Sequence, residues 1–315
     1  MRAALLVNPM AGRGRAGRRA PEIAALLREV AGDDIAIHVT EEPGHAVQIA
    51  REVARADVPV LFVLGGDGTV HEAVNGLVDP LGGAVSRTIL APLGGGTGND
   101  ALRSLAPHAD DVELVHRAMA GHARLVDVGR VRFLRLEWGA DELGALPVRL
   151  FLNAANIGIA ASVAARVNAD ATRVLAPPRT FAFPWAMVSE LARGPRSTFT
   201  LHVDGTPPRT CAGWNLAFAN GRYFGGGIPI APHATIDDGV LDVILFGAAS
   251  RLRACADLPR LRAGTHLTLP YVTHEQAHAI HVRTDESQMV EADGEWIGET
   301  PCSIDLLPRA LRVVA

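Results

Sequence analysis

The apolar run Val58–Leu64 stops abruptly in Gly65-Gly66-Asp67-Gly68-Thr69, and a helical pattern with Glu72 and Asn75 on one face follows at once. A strand apolar at every position must be covered on both faces. The glycines after it permit positive φ and let backbone N–H groups approach a polyanion closely. The following helix contributes its N-terminal dipole, and Asp67 can hold the Mg²⁺ that accompanies a nucleoside triphosphate. The plain alternative is a tight strand-to-helix turn. One carboxylate, one hydroxyl and the Glu72/Asn75 pair at i, i+3 make the phosphate cradle the more specific reading.

The first third of the chain alternates strand and helix. Strands are predicted at Ala3–Asn8, Ile35–Thr40, Val58–Leu64 and Thr88–Leu93; helices at Ala16–Val30, Gly44–Ala56, Asp67–Leu77, Asn99–Leu105 and Asp110–Ala120. That order predicts a parallel sheet with helices on both faces, a three-layer α/β nucleotide-binding domain. Its ligands would sit beyond the carboxyl ends of the strands, where the glycine loops after Asn8, Leu64 and Leu93 all fall. From about Leu125 the pattern becomes short β-rich runs: Leu125–Leu136, Val148–Asn156, Ser197–Val203, Trp214–Ala219, Val240–Phe246, Ala279–Thr284 and Met289–Ala292. These predict an antiparallel sandwich, interrupted by helices over Pro184–Arg193 and Leu252–Arg262. The change near Gly121–Val126 carries no flexible linker, so two close-packed domains with a cleft between them are expected.

Of 315 residues, 48% are hydrophobic and 20% charged, with a net charge of −4, so nothing global points to nucleic acid. Cys211, Cys255 and Cys302 are too scattered for a metal or disulfide pattern. No apolar stretch reaches the ~20 residues of a membrane span, and the opening Met1–Asn8 reads as a strand rather than a signal sequence. A cytoplasmic protein is the expectation. There is no lysine: all 30 basic residues are arginine. Walker-A, protein-kinase-lysine and Schiff-base chemistries are therefore excluded.

Four further segments carry chemistry. Asn8-Pro9-Met10-Ala11-Gly12-Arg13-Gly14-Arg15-Ala16-Gly17 spells G-x-G-x-x-G, with Asp33 and Asp34 downstream. A dinucleotide-binding oxidoreductase is thus a rival, although four residues separate strand from glycines and Arg13 and Arg15 crowd the pyrophosphate position. Arg13, Arg15, Arg18 and Arg19 form either a solvated face or a phosphate contact. Pro92–Asp100 is a second glycine loop between strand and helix, with Asn99 placed to cap the helix and Thr97 to bind phosphate. Asn220–Gly227 leads into Thr235-Ile236-Asp237-Asp238-Gly239-Val240, oxygen-rich enough for a hard cation and equally an ordinary Asp-Gly turn. Asp293-Gly294-Glu295, by composition, is only a turn.

Together, Asn8-Pro9…Gly12, Gly65–Gly76, Thr97–Asp100, Val126–Gly129, Asn153…Gly158, Asn220–Gly239 and Asp293–Glu295 resemble the diacylglycerol kinase catalytic-domain family, bacterial lipid kinases related to sphingosine and ceramide kinases. The resemblance runs nearly end to end. It implies an ATP-binding α/β domain over 1–124, a β-sandwich lipid domain over 125–292, and a tail, 293–315, returning to the first domain. It implies ATP contacts from Thr40, Gly66, Asp67, Gly68, Thr69, Val70, His71, Glu72 and Thr97, with Asn8, Arg13 and Asn99 beside them. Asp67 with Asp127 would organise the catalytic Mg²⁺, and Glu295 would be the base for the acceptor hydroxyl. Asp238, with the carbonyls of Thr235 and Val240, would hold a structural Mg²⁺. Two departures stand out: two extra glycines precede Thr97, and Ala101 replaces the family's phenylalanine. The implied reaction is transfer of the γ-phosphoryl group of ATP to a lipid hydroxyl, most simply diacylglycerol to phosphatidic acid. NAD kinase-like phosphotransfer and a non-catalytic lipid- or nucleotide-binding protein are the alternatives. A lipid acceptor requires peripheral membrane contact, for which Arg173–Trp185 is the candidate segment; the resemblance also leaves room for a homodimer.

Overall fold

The computed structural model describes residues 2–133, 148–171, 186–192, 194 and 196–315. The candidate membrane segment Arg173–Trp185 lies outside the described residues. The chain forms two compact units, one of Met1–Val128 with Leu307–Ala315 and one of Gly129–Leu306. The last strand joins the first unit from Leu307 on, so the segment that returns there is shorter than 293–315.

The first unit is a parallel sheet in the order β2 (Ile35–Val39), β1 (Ala3–Val7), β3 (Val60–Gly65), β4 (Ile89–Gly94), closed by the end of the last strand, where Val313 pairs with Leu90. α1 (Ala11–Ala31) and α5 (Asp111–Met119) cover one face, packing Ile23, Leu27, Leu114 and Val115 on Leu5, Phe62 and Leu93. α2 (His45–Arg55) and α3 (Asp67–Leu77) pack together, each burying one apolar stripe: Ile49, Ala50 and Val53, and Val70, Ala73 and Val74. Short α4 (Asp100–Leu105) follows β4. Strand order reverses at β1 and β3, so the crevice beyond their carboxyl ends is the topological switch point where ligands bind such sheets.

The second unit is antiparallel. From β5 (Ala123–Phe133) the chain passes through β6 (Val148–Phe151), β7 (Ala154–Gly158), helix α6 (Ile159–Ala171) and a helix α7 over 186–192. β8 (Ser197–Val203), β9 (Arg209–Ala219), β10 (Tyr223–Phe224), β11 (Ile228–Pro229) and β12 (Leu241–Gly247) follow. After α8 (Arg251–Ala256) and α9 (Leu258–Arg262) come β13 (Val272–Ala277), β14 (Ala279–Thr284), β15 (Met289–Ala292), β16 (Glu295–Glu299) and β17 (Cys302–Val314). The main path runs β16-β15-β7-β9-β8-β14-β17, with β12 also paired to β9. Its core joins Phe151, Phe199, Phe218, Ile280 and Ile304.

Two sequence expectations change here. The single strand over Val148–Asn156 is two, because the N–H groups of Leu152, Asn153 and Ala154 go to the Asp293 carboxylate, at 2.7, 2.8 and 3.2 Å. The helix over Leu252–Arg262 is likewise two, the second starting with Pro259 in its first turn, where a missing N–H costs nothing.

Candidate functional site

The first unit's glycine loops pack backbone on backbone. Gly95 N–H donates to Gly65 O at 3.1 Å. A Cβ on Gly95 would come within 2.8 Å of the Gly65 backbone, and one on Gly96 within 2.6 Å of Gly66 Cα. A Cβ on Gly12 would collide with Gly95 O. The two extra glycines of this chain are therefore what let the β4 loop lie flat on the β3 loop. Gly12, Arg13 and Gly14 take three successive left-handed conformations (φ 59°, 59° and 80°), breaking the first turn of α1. This arrangement suits backbone N–H groups turned toward an anion.

Side chains brace the loops. Asn8 Nδ2 donates to Thr69 Oγ1 at 3.0 Å, tying the end of β1 to the first turn of α3. Arg15 donates to Gly96 O, and Arg19 donates to Gly94 O at 2.5 Å while pairing with Asp111. Both arginines hold loop carbonyls, Arg15 from an exposed position and Arg19 half-buried. Gly17, the third glycine of the dinucleotide-like spacing, lies against Pro9: a Cβ would meet Pro9 O at 2.9 Å. Thr40 follows β2, its N–H bonded to Val7 O at 2.9 Å. Thr97 is exposed on the β4 loop, and Arg13 is exposed on the β1 loop.

Three residues have partners that the sequence did not indicate. Asn99 occupies the N-cap position of α4 in a left-handed conformation (φ 54°), but its side chain makes no cap. Its Oδ1 instead accepts from Gly96 N–H at 3.0 Å, closing the glycine loop. Asp67 Oδ1 accepts the first-turn N–H of Ala101 at 3.2 Å and so caps α4 from α3. Glu72 accepts from Gly44 N–H at 2.9 Å and Ala46 N–H at 3.1 Å, capping the N-terminus of α2. Val70 and His71 are buried in α3, with Asn75 Nδ2 donating to His71 O at 2.9 Å; Gly66 and Gly68 frame the turn. Asp127 is wholly buried, and its Oδ1 accepts from Arg309 N–H at 2.6 Å.

Among the described residues no group of three or more His, Cys, Asp or Glu could cage a metal ion. Mg²⁺ is commonly held by one or two carboxylates completed by phosphate oxygens and water. A single carboxylate such as Asp67 beside the glycine backbone fits that manner of binding. Asp238 Oδ1 accepts from Val240 N–H at 3.2 Å, an Asx turn, with Thr235 exposed beside it.

In the second unit Asp293 and Gly294 form the two-residue β15–β16 turn, both with positive φ (50° and 93°), as the Asp-Gly hairpin chemistry requires. Asp293 pins the turn to residues 152–154. Glu291 pins it from the other side, accepting from Gly294 N–H and, at 2.8 Å, from Asn156 Nδ2. Burial, with Asp293 and Glu295 nearby, pushes Glu291 up to about 8. Glu295 opens β16 and is exposed. Sequence reading missed Glu291 and Asn156: alternation in Met289–Ala292 would point Glu291 to water, but this strand is buried on both faces.

The second unit also holds an apolar pocket, partly open to solvent, lined by Ile159, Leu191, Trp214, Phe224, Leu261 and Leu269. Its polar lining is Asn215, Asp257 and Tyr271. Tyr271 donates to Asp257 at 2.9 Å; burial and that carboxylate push it up to about 12, so it stays a neutral donor. Among the described residues no helix is long and apolar enough to cross a membrane.

Comparison with known proteins places this geometry. Residues 2–131 match the diacylglycerol kinase catalytic domain, and residues 157–315 match the YegS C-terminal NAD kinase beta sandwich-like domain. A diacylglycerol kinase of Mycobacterium tuberculosis is 29% identical over 311 residues, covering 98% of this chain and 93% of its own. One of Staphylococcus carnosus is 25% identical over 314 residues, covering 99% and 94%. A solved diacylglycerol kinase structure from Bacillus anthracis superposes with a TM-score of 0.70 at 25% identity, over 99% and 96% of the two chains. An Archaeoglobus fulgidus NAD kinase in complex with ATP shares the fold, at a TM-score of 0.51 and 14% identity over 100% and 94%. A switch-point glycine cradle followed by a β-rich unit, matched over nearly the whole length, makes this chain a kinase that belongs to the diacylglycerol kinase catalytic-domain family.

Proposed function

We propose that this kinase transfers the γ-phosphoryl group of ATP to a lipid hydroxyl, converting diacylglycerol to phosphatidic acid. One observation carries the lipid reading: the apolar cavity of the second unit, whose side chains suit an aliphatic chain and offer a nicotinamide dinucleotide few polar partners. The relatives named diacylglycerol kinases support it.

Phosphoryl transfer depends on alignment and charge stabilisation. In this reading the phosphates lie against the loops at residues 12–14, 65–69 and 95–97, held by backbone N–H groups other than those of Gly14, Thr69, Gly95 and Gly96, which bond within the chain, with Thr40, Thr97 and Arg13 at the rim. Asp67, supported by Asp127, would hold Mg²⁺, which would supply positive charge to offset that of the phosphates. Glu295 takes the proton of the attacking hydroxyl. Asp238, with the main-chain carbonyls of Thr235 and Val240, would hold a second, structural Mg²⁺. The enzyme meets its substrate at a membrane surface.

The test is a radiolabelled ATP assay against diacylglycerol, sphingoid base, ceramide and NAD, each with unaltered protein and with Asp67→Ala and Glu295→Gln. Label on diacylglycerol, lost in Asp67→Ala and lowered in kcat more than in ATP binding by Glu295→Gln, is expected. Label on NAD alone, or full turnover by Asp67→Ala, would overturn the proposal.

A further inference from the structure

A single buried hydrogen-bond chain links the wall of the cavity to the turn that carries Glu295. Ala160 N–H, at the start of α6, donates to Asn215 Oδ1 at 2.9 Å. Asn215 Nδ2 donates to Asn156 Oδ1 at 3.1 Å, and Asn156 Nδ2 donates to Glu291 Oε2 at 2.8 Å. Glu291 Oε1 accepts from Gly294 N–H, the residue before Glu295. Asn156, Glu291 and Asn215 are 0, 2 and 7% exposed. Strand register explains the meeting. Asn156 on β7 lies opposite Glu291 on β15 and opposite Ala217 on β9, so Asn215 is its diagonal neighbour on the same face.

The chain has one direction only. A backbone N–H can only donate, so Ala160 fixes the orientation of Asn215, which fixes that of Asn156. Gly294 N–H fixes the other end. Between them stands Glu291, which when ionised accepts on both oxygens, from Asn156 Nδ2 and from Gly294 N–H. Asn215 and Ala160 also line the cavity.

We propose that Glu291, through Asn156 and Asn215, is a positioning residue that holds the Glu295 turn in register with the wall of the cavity. This rests on the reading of Glu295 as the base and of the cavity as the acceptor's site. Glu291→Gln leaves one acceptor oxygen where the carboxylate offers two, so its NH₂ faces either Gly294 N–H, which frees the turn, or the Asn156 NH₂. In the second case Asn156 flips, Asn215 after it, and Ala160 N–H is left facing a donor. The double variant Glu291→Gln/Asn156→Asp restores every bond, because the new amide at position 291 donates to the new carboxylate at position 156, and that carboxylate still accepts from Asn215. Glu295 is untouched in both variants. An error of about 1 Å in a reacting group costs on the order of 100-fold in rate.

The experiment measures kcat and KM at pH 9, where Glu291 is ionised, together with hydrogen exchange of the Gly294 amide. Glu291→Gln is expected to lower kcat at least tenfold, to leave the KM for ATP within twofold, and to speed Gly294 exchange. The double variant is expected to recover both kcat and protection. Unchanged kcat, or unchanged Gly294 protection, in Glu291→Gln would overturn the proposal. So would a double variant that stays inactive with Gly294 protected, because the charge at 291 would then act directly. If the unaltered protein phosphorylates no lipid, the function reading fails by itself; the Gly294 exchange in the two variants still decides whether the chain positions the turn.

Discussion

Glu72 offers the sharpest test of what the glycine-loop helix does, because the family resemblance makes it an ATP contact and the structure makes it a helix cap. Its carboxylate accepts two N–H groups at the start of α2, from Gly44 and Ala46. Glu72→Gln keeps one acceptor oxygen and removes the charge. The lost charge-assisted bond is worth about 1.5 kcal/mol, and the lost interaction with the α2 dipole adds about 0.5 kcal/mol. The first unit should therefore lose about 2 kcal/mol. With an m-value of about 2 kcal/mol/M in urea, its midpoint falls by about 1 M. The chain offers a clean way to read this. All four tryptophans, Trp138, Trp185, Trp214 and Trp296, lie beyond residue 128. Far-UV circular dichroism should register the earlier transition while tryptophan emission keeps its midpoint. The KM for ATP should stay within twofold. A stable variant whose KM for ATP rises tenfold would refute the capping argument and return Glu72 to the nucleotide.

Gly95→Ala should damage the cradle in proportion to its crowding: its Cβ lands within 2.8 Å of the Gly65 backbone, so about 1–3 kcal/mol of stability and at least tenfold in ATP affinity should go, read by urea unfolding and isothermal titration. Unchanged ATP affinity would mean the loops need not stack. The second unit should lose stability as pH rises. Glu291 in the folded chain is pushed up from 4.5 to about 8, so between those values the native state holds the extra proton. Stability then falls with rising pH by up to about 1.4 kcal/mol per unit and levels off above about 8. Tryptophan-detected unfolding from pH 5 to 9 checks this, and Glu291→Gln should flatten the slope; a slope unaltered by that substitution would refute the assignment.

Much of the first unit was legible because its signals are local. Apolar strands, amphipathic helices and glycine loops recur within windows of about ten residues, and the parallel sheet follows from their alternation. Boundaries moved by a residue or two, and Gly12–Gly14 proved to be a left-handed break within a longer helical stretch. The second unit was legible as a count of strands. Its strand pairing and its split at Leu152–Asn153 were not, because Asp293, which takes those N–H groups, lies about 140 residues away.

The sequence alone determined the α/β unit with three glycine loops at one sheet edge, the β-rich unit after it, and a chemistry without lysine. Periodicity and composition suffice for these, since each depends on neighbours in the chain. Only the tertiary structure decided which polar side chain serves which backbone. Glu72 caps a helix 26 to 28 residues back, Asn99 closes its own loop, and Glu291 bonds Asn156 across 135 residues. The physical reason is that a buried polar group must find its partner wherever the fold brings one within about 3 Å. No local pattern encodes that distance.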